Sequence, residues 1–162
     1  MQACATEDGI CLLEFEERED LARQFRSLQE HLGLKIIPGQ NIHLLNLQLQ
    51  LDEYFNKERA SFELPLVMAG TAFQKRVWDE LLEIPFGQTV TYKSLTDKLG
   101  DPLAIRAVAG ANAANKMAIL IPCHRVIGSN GKLVGYAGGL WRKKYLLELE
   151  GNMKNEQLSM AF

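Results

Sequence analysis

The spacing of hydrophobic residues along the first third of the chain predicts one strand and two helices. The run Ile10–Phe15 is short and almost wholly apolar, which is typical of a buried strand. Apolar residues then recur at helical spacing from Leu21, in a segment that Gly33 should end, and again over Ile42–Phe55. A Pro-Gly pair at 38–39 predicts the turn between these two helices.

The pattern changes across a short linker that contains Pro65. Thr71 is a favourable N-terminal cap for a helix that runs to Leu82, because its hydroxyl can accept a hydrogen bond from a free backbone N–H. We therefore expect an N-terminal α/β lobe over residues 1–66 and a C-terminal domain over residues 67–162. The predicted fold class is α/β: a small N-terminal lobe with a short antiparallel sheet and helices, followed by a mostly helical C-terminal lobe.

A helix-turn-helix pattern follows in the C-terminal half. Thr91 can cap one helix, which Gly100 closes, and Asp101 with Pro102 would supply the N-cap and first-turn proline of the next. Some such pairs bind DNA, but most helix pairs joined by a short turn are only packing units. The pattern alone leaves both functions open.

The second helix of this pair carries few bulky side chains. Residues 104–114 are mainly alanine, with Ile105 and Val108 as candidate core contacts and Arg106 as the single long cation. Small side chains permit close approach to another surface. From the pattern alone, a neighbouring helix of the same protein is a better candidate for that surface than DNA.

Composition and charge narrow the class of protein. The 162 residues are 47% hydrophobic, which suffices for a core. No apolar run approaches the ~20 residues that span a bilayer, and the first residues lack secretory-signal features, so we expect a cytoplasmic protein without a membrane partner. Because the net charge is only −2, any nucleic acid must be bound by a local cationic patch. Cations are concentrated in the second half of the chain.

The segment Ile119–Val126 holds the most reactive candidate chemistry. Its apolar start predicts a strand that leads into Pro122 and then Cys123, His124 and Arg125. A nucleophilic cysteine needs a base or a positive charge nearby, because the thiolate is the attacking species. Adjacent residues on a strand point to opposite faces, so a buried structural cysteine is the competing interpretation.

Five motifs in one order, at matching spacing, resemble those of the O6-alkylguanine-DNA alkyltransferases, also called methylated-DNA–protein-cysteine methyltransferases. They are Thr89–Tyr92, Arg106–Val108, Asn115, Pro122–Val126 and Tyr136–Leu140. The resemblance is dense over residues 70–151, whereas the N-terminal lobe is similar only in outline. A set of ordered motifs is far more specific than any one of them.

The resemblance implies DNA repair by direct reversal in a single-turnover, irreversible enzyme that needs no cofactor. Cys123 would accept the alkyl group from O6-alkylguanine, and His124 would take the thiol proton through an ordered water. Glu150 would orient His124, with Glu148 as the competing carboxylate. Tyr92 would assist departure of guanine.

Further roles follow from the same resemblance. Asn115 would tie together the turn beside the site, although an asparagine before a predicted strand is usually only a turn former. A glycine-rich loop would close over the extruded guanine. Its substrate-binding residues would be Val134, Tyr136, Ala137 and Gly138. Many family members have a small polar residue where Ala137 stands, so a side-chain hydrogen bond is not expected there.

The partner implied is double-stranded DNA whose damaged base is flipped out of the helix. In the family, the small-residue helix enters the minor groove, and Arg106 would fill the space that the flipped base leaves. Tyr92 would also contact DNA, and Lys93, Ser129 and Arg125 would contact the backbone, unless Arg125 instead holds the active loop. A monomer suffices for one lesion. Activity on O4-alkylthymine and the range of alkyl groups stay open.

Three other classes of site or protein compete with this interpretation. No metal is expected, because Cys4, Cys11, His31 and His43 lack the close ligand pairs of structural zinc sites, and an odd cysteine count favours reduced thiols. A cysteine hydrolase would also use Cys123, but it would regenerate its thiol and leave the helix pair unexplained. A non-catalytic lesion-binding protein would have no need of the cysteine.

Overall fold

The computed structural model describes residues 1–151, which fold into two compact units. The first comprises Met1–Gly70 with Lys116–Leu120, and the second comprises Thr71–Asn115 with residues 121–151. The first holds a two-stranded antiparallel sheet and the second is mostly helical, so the predicted α/β fold class is confirmed. None of the helices within residues 1–151 has the length and apolar character needed to cross a membrane.

The first unit is built around one buried strand. Strand β1 (Gln2–Ala5) pairs antiparallel with β2 (Ile10–Glu14), all of whose residues are buried. Helices α1 (Leu21–Leu32) and α2 (Ile42–Phe55) follow. The predictions of the strand at Ile10 and of both helices are confirmed, and Gly33 ends α1 with a φ of 65°, which glycine adopts without steric cost.

Strand β2 has further backbone partners beyond β1. Leu13 donates from its N–H to the carbonyl of Lys116 at 2.9 Å and accepts from the N–H of Ala118 at 2.8 Å. At its other end, Ile10 makes the equivalent pair of bonds with Pro65 and Val67. The burial of β2 and its pairing on both edges explain why its sequence is a nearly continuous apolar run.

The second unit contains four helices and two short strands within the described residues. They are α3 (Ala72–Leu82), β3 (Val90–Thr91), α4 (Tyr92–Lys98), α5 (Ile105–Ala113), β4 (Val126–Ile127) and α6 (Leu140–Leu149). Strands β3 and β4 pair in parallel. Helix α5 lies at the centre, where α3 and α4 both pack on it and the buried Trp78 donates from Nε1 to the carbonyl of Ala111 at 2.8 Å.

The N-terminal caps predicted for helices α3 and α4 are confirmed. The hydroxyl of Thr71 accepts from the N–H of Gln74, and the hydroxyl of Thr91 accepts from the N–H of Ser94. In both cases the side chain three residues on bonds back to the capping residue, which completes a capping box.

The start predicted for the second helix of the pair is wrong. Helix α5 begins at Ile105, and Ala104 precedes it without a side-chain cap. Asp101 instead closes a turn, since its carboxylate accepts from the N–H of Leu103 and its carbonyl from the N–H of Ala104. An aspartate can serve either as a helix cap or as a turn former, and Asp101 forms a turn.

The predicted strand leading into Cys123 is also wrong. Met117 makes one isolated bridge, after which Ile119 has a φ of 73° and the chain turns tightly. The N–H of Leu120 bonds to the carbonyl of Ala118, and that of Cys123 to the carbonyl of Ile121 at 2.7 Å. The apolar run marks burial, because a short apolar sequence cannot distinguish an extended from a folded backbone.

Candidate active site and nucleic-acid interface

Cys123 begins a single turn of 3₁₀ helix, Cys123–Arg125, in the second unit. The residue is only 7% exposed. The side-chain amide of Asn115 donates to Sγ of Cys123 at 3.1 Å and to the carbonyl of Ile121 at 2.9 Å. One buried amide therefore holds both the sulfur and the backbone that leads to it.

His124 is fully buried beside Cys123 and bonds to the end of α6. Its Nε2 lies 2.8 Å from Oε1 of Glu150, the residue that caps this helix. Burial lowers the pKa of His124, which the carboxylate of Glu150 partly opposes. When Nε2–H donates to the carboxylate, Nδ1 carries the lone pair, and Nδ1 is buried without a hydrogen-bond partner among the described residues.

Glu150 also holds Arg125. Burial alone would raise the pKa of Glu150, but hydrogen bonds from His124 and Arg125 prevail and lower it to about 2. Arg125 donates from Nε and Nη2 to the two carboxylate oxygens, each at 2.9 Å, and from Nη1 to the carbonyl of Ile84. Of the two roles predicted for Arg125, these contacts favour holding the active loop over binding the DNA backbone, because the guanidinium is buried and bonded within the protein.

Tyr92, the first residue of α4, receives a hydrogen bond that the sequence did not predict. Nδ2 of Asn112, on α5, donates to its hydroxyl at 3.0 Å. Burial, and to a smaller extent the charge of Cys123, raise the pKa of Tyr92 to about 12, although the hydrogen bond from Asn112 partly opposes the shift. The phenol therefore stays protonated. Asn112 could have been noticed as the one amide side chain on the small-residue helix.

Lys143 is a second residue that the sequence analysis missed. It lies on α6 with its side chain fully buried, and its Nζ donates to the carbonyls of Val126, Val134 and Gly135 at 2.6, 2.7 and 3.4 Å. Burial lowers its pKa to about 8. A signal existed, because positions 143, 146, 147 and 150 have the spacing of one helix face and the other three face the core.

A groove of about 430 Å³ lies beside Tyr92 in the second unit. Its lining includes five of the predicted site residues: Tyr92, Lys93, Arg106, Ser129 and Val134. Ala109 and Ala113 of α5 form part of the floor. Gly135 lines it too, with a φ of 48° and a Cβ position that would come within 3.8 Å of the Tyr92 hydroxyl. Lys93, Arg106 and Ser129 are exposed on its rim.

The remaining predicted loop residues lie outside this lining. Tyr136 is partly buried, Ala137 is exposed, and the buried Gly138 accepts a hydrogen bond at its carbonyl from Arg142 at 2.9 Å. Within residues 1–151, no three His, Cys, Asp or Glu side chains are grouped so that they could hold a metal ion. Cys4, Cys11 and Cys123 are reduced, since none of the three is in a disulfide.

Comparison with known proteins identifies the family. A family model described as "6-O-methylguanine DNA methyltransferase, DNA binding domain" matches residues 72–152. The methylated-DNA–protein-cysteine methyltransferase of Mycobacterium leprae is 42% identical over 149 residues, a match covering 77% of this chain and 90% of that protein. This chain belongs to the methylated-DNA–protein-cysteine methyltransferase family. The resemblance inferred from the five motifs is thereby confirmed.

Other members of the family are similar in sequence or structure. The homologue of Methanosarcina acetivorans is 54% identical over 103 residues, which span 64% of this chain and 66% of that protein. A crystal structure of Mycobacterium tuberculosis OGT in complex with DNA has a TM-score of 0.76 at 39% identity, covering 91% of this chain and 84% of that one. An O6-methylguanine-DNA methyltransferase from Pyrococcus kodakaraensis has a TM-score of 0.64 at 26% identity, covering 90% and 88%.

Proposed function

We propose that this protein repairs DNA by direct reversal, transferring the alkyl group of O6-alkylguanine irreversibly to Cys123. The observation that carries the proposal is the buried hydrogen bond between His124 and Glu150. Because Nε2 of His124 bonds to the carboxylate, its other ring nitrogen, Nδ1, is left to act as a base for the adjacent Cys123. Family membership supports the same reaction, because the relatives are named for methyl transfer from DNA to a protein cysteine.

In this mechanism the proton of Cys123 passes through a water molecule to Nδ1 of His124. The thiolate attacks the alkyl carbon, a C–S bond forms, the C–O6 bond breaks, and guanine keeps the electron pair. Glu150 stabilises the imidazolium, since it already lies 2.8 Å from Nε2. Asn115 keeps the sulfur in place.

Tyr92 assists the leaving group. Its hydroxyl accepts from Asn112, so its own proton is directed elsewhere and can be donated to the departing base. A pKa of about 12 keeps that proton on the phenol at physiological pH. Because the thioether is stable, the protein is consumed in one turnover.

The groove beside Tyr92 would receive the lesion strand. Its alanine floor permits close approach by DNA, and Arg106 at the start of α5 would fill the space left by the flipped nucleotide. Lys93 and Ser129 on the rim would bind phosphates, with Val134, Tyr136, Ala137 and Gly138 contributing the loop that covers guanine. The structure of a relative in complex with DNA supports DNA as the partner, and we propose that the DNA is a duplex. A cytoplasmic monomer is the proposed working form.

Intact-mass measurement tests the reaction directly. After incubation with an oligonucleotide containing O6-methylguanine, the wild type should gain one methylene, mapped to Cys123, with one lesion repaired per protein molecule. Cys123→Ala should bind the oligonucleotide without a mass gain, and Cys4→Ser, at a half-buried thiol of the first unit, should react like the wild type. Repair of more than one lesion per molecule would contradict the proposal and favour a hydrolase.

A further inference from the structure

Two of the three cysteines lie together in the first unit, on the paired strands β1 and β2. Cys4 is paired with Leu12, and the next pair is Ala5 with Ile10. Cys11 falls between these pairs and is the extra residue of a β-bulge. It is buried in a small hydrophobic cluster against which the half-buried Cys4 packs. The bulge therefore brings two thiols together that have no part in the proposed alkyl transfer.

Both cysteines line a cavity of about 680 Å³ in the same unit. Most of its walls are apolar side chains from α1 and from the segment that joins α1 to α2. They include Phe25, Leu28, Leu32, Leu34 and Ile36. The cavity is large enough for a small organic group, and the two thiols give it a pair of reactive atoms at one side.

Side-chain hydrogen bonds hold the segment between α1 and α2 in place. Oε1 of Gln29, on α1, accepts from the N–H of Ile36 at 3.1 Å. Asn41 donates from Nδ2 to the carbonyl of Thr6 at 3.0 Å, and its Oδ1 accepts from the N–H of Leu44 as the cap of α2. This wall of the cavity is therefore tied to α1 and to the turn after β1.

The cavity disfavours a charged ligand. Among the described residues that line it, Lys35 is the one charged group, and within residues 1–151 no third His, Cys, Asp or Glu joins the thiols in a metal-binding group. Burial raises the pKa of Cys4, and burial followed by the charge of Cys4 raises that of Cys11 to about 11. Both thiols are protonated at neutral pH, so a complex that left two thiolate charges here would be costly.

These constraints select one class of ligand, which must bond to two sulfurs, leave no charge and carry an apolar group. A trivalent organoarsenical, R–As(OH)₂, meets all three conditions. Two As–S bonds form and two As–O bonds break, and each thiol proton leaves with a hydroxide as water. Arsenic stays trivalent, and the product is uncharged, so the raised pKa of the thiols is no obstacle.

We propose that Cys4, Cys11 and the adjoining cavity form a binding site for trivalent organoarsenicals, with the organic group held against Phe25 and Leu28. The site lies wholly in the first unit. It does not depend on the proposed function, because Cys123 takes no part in it.

Phenylarsine oxide is the probe, and intact-mass measurement after removal of reductant is the readout. The wild type should bind one arsenic, gaining C₆H₅As with the loss of two hydrogens. Cys4→Ala and Cys11→Ala should each weaken binding ~10²- to 10⁴-fold, because the second As–S bond forms within one molecule. Cys123→Ala is the matched control and should bind like the wild type. Unchanged binding in Cys4→Ala or Cys11→Ala would overturn the proposal.

A comparison with inorganic arsenite tests the cavity, because arsenite bonds to the same sulfurs without an apolar group. The preference of the wild type for phenylarsine oxide over arsenite should exceed that of dithiothreitol, a dithiol without a cavity, by ~10-fold. Ile36→Gln, at the exposed edge of the cavity, should reduce this excess. Ile42→Gln, at an exposed position outside the lining, should not. A preference equal to that of dithiothreitol would show that the cavity is not part of the site.

A measurement on the wild type covers the case in which the cysteine variants do not fold. X-ray absorption at the arsenic edge should show two sulfur neighbours and one carbon neighbour in the phenylarsine oxide complex. A single sulfur neighbour would refute the dithiol site. Repair of O6-methylguanine by the wild type decides the proposed function separately, since neither arsenic measurement uses DNA.

Discussion

Single side chains in this site control where the protons lie. Glu150 accepts from both His124 and Arg125, and as a buried carboxylate with a pKa of about 2 it stays ionised at physiological pH. It can therefore accept a hydrogen bond from Nε2–H of His124 continuously, which leaves Nδ1 as the basic atom. Glu148, the alternative carboxylate that the sequence left open, is on the outer part of α6 near Lys144.

Replacement of Glu150 by glutamine should remove this control. The uncharged amide can donate to Nε2 and so favour the wrong tautomer, and we expect the single-turnover repair rate to fall ~10²- to 10⁴-fold, by analogy with hydrolytic triads. The rate is measured by quenched-flow assay with an O6-methylguanine duplex, alongside DNA affinity, which should change little. Glu148→Gln is the matched control. A slow Glu148→Gln and a normal Glu150→Gln would reverse the assignment.

At the scale of an element, helix α5 combines a packed face with a bare one. Val108, Ala111 and Asn112 are buried, whereas Arg106 and Gly110 are exposed on the side that continues to the groove-lining Ala113. Gly110 lowers the stability of α5, because glycine is a poor helix former. Since Gly110 is exposed and needs no side chain of small size for packing, we infer that its surface is a candidate for DNA contact.

Gly110 provides a test of that interpretation. A Cβ atom at Gly110 would meet no heavy atom within 4 Å, so Gly110→Ala should stabilise the protein by up to ~1 kcal/mol, measured by urea unfolding. Gly110→Gln should also be at least as stable as the wild type, but its bulk should weaken DNA binding, measured by fluorescence anisotropy, while iodoacetamide alkylation of Cys123 stays unchanged. Equal DNA affinity for the wild type and Gly110→Gln would show that this face does not enter the DNA groove.

At the scale of the whole molecule, the distribution of charge makes DNA binding depend on a few local cations. The net charge of −2 gives no general attraction to DNA, and the cations Lys93 and Arg106 are exposed where the groove opens. The second unit also contains a buried set of charges whose protonation contributes to its stability. That contribution should make unfolding depend on pH.

Glu150 determines the sign of this dependence. Its pKa is about 2 in the folded protein against 4.5 unperturbed, so the unfolded chain binds more protons between these values. The stability from Glu150 is thus fully present above pH 4.5 and is lost as the pH falls through 2. The difference in unfolding free energy between the wild type and Glu150→Gln, on the order of 3 kcal/mol at neutral pH, should shrink across that window. A difference in unfolding free energy that stays constant between pH 4.5 and 2 would contradict the lowered pKa of Glu150.

The sequence alone determined the local elements and the class of chemistry. Hydrophobic spacing and capping residues specify the strand at Ile10 and the helices from Leu21, Ile42, Ala72 and Tyr92, because these signals act over a few neighbouring residues. The ordered motifs around Cys123 identified the family for a similar reason, since each motif is a short local pattern. The failures were also local: Asp101 suited a cap or a turn, and the run before Cys123 suited a strand or a buried turn.

Only the tertiary structure decided which polar groups meet. Glu150 is 26 residues from His124 in sequence, and no pattern states that Arg125 bonds to that same carboxylate. The sequence therefore left open whether Arg125 contacts the DNA backbone or holds the active loop. Lys143 has the same side chain as its neighbour Lys144, yet one is fully buried and the other partly exposed. Burial sets the cost of a charge and the partners it must have, and burial depends on the packing of segments that are distant along the chain.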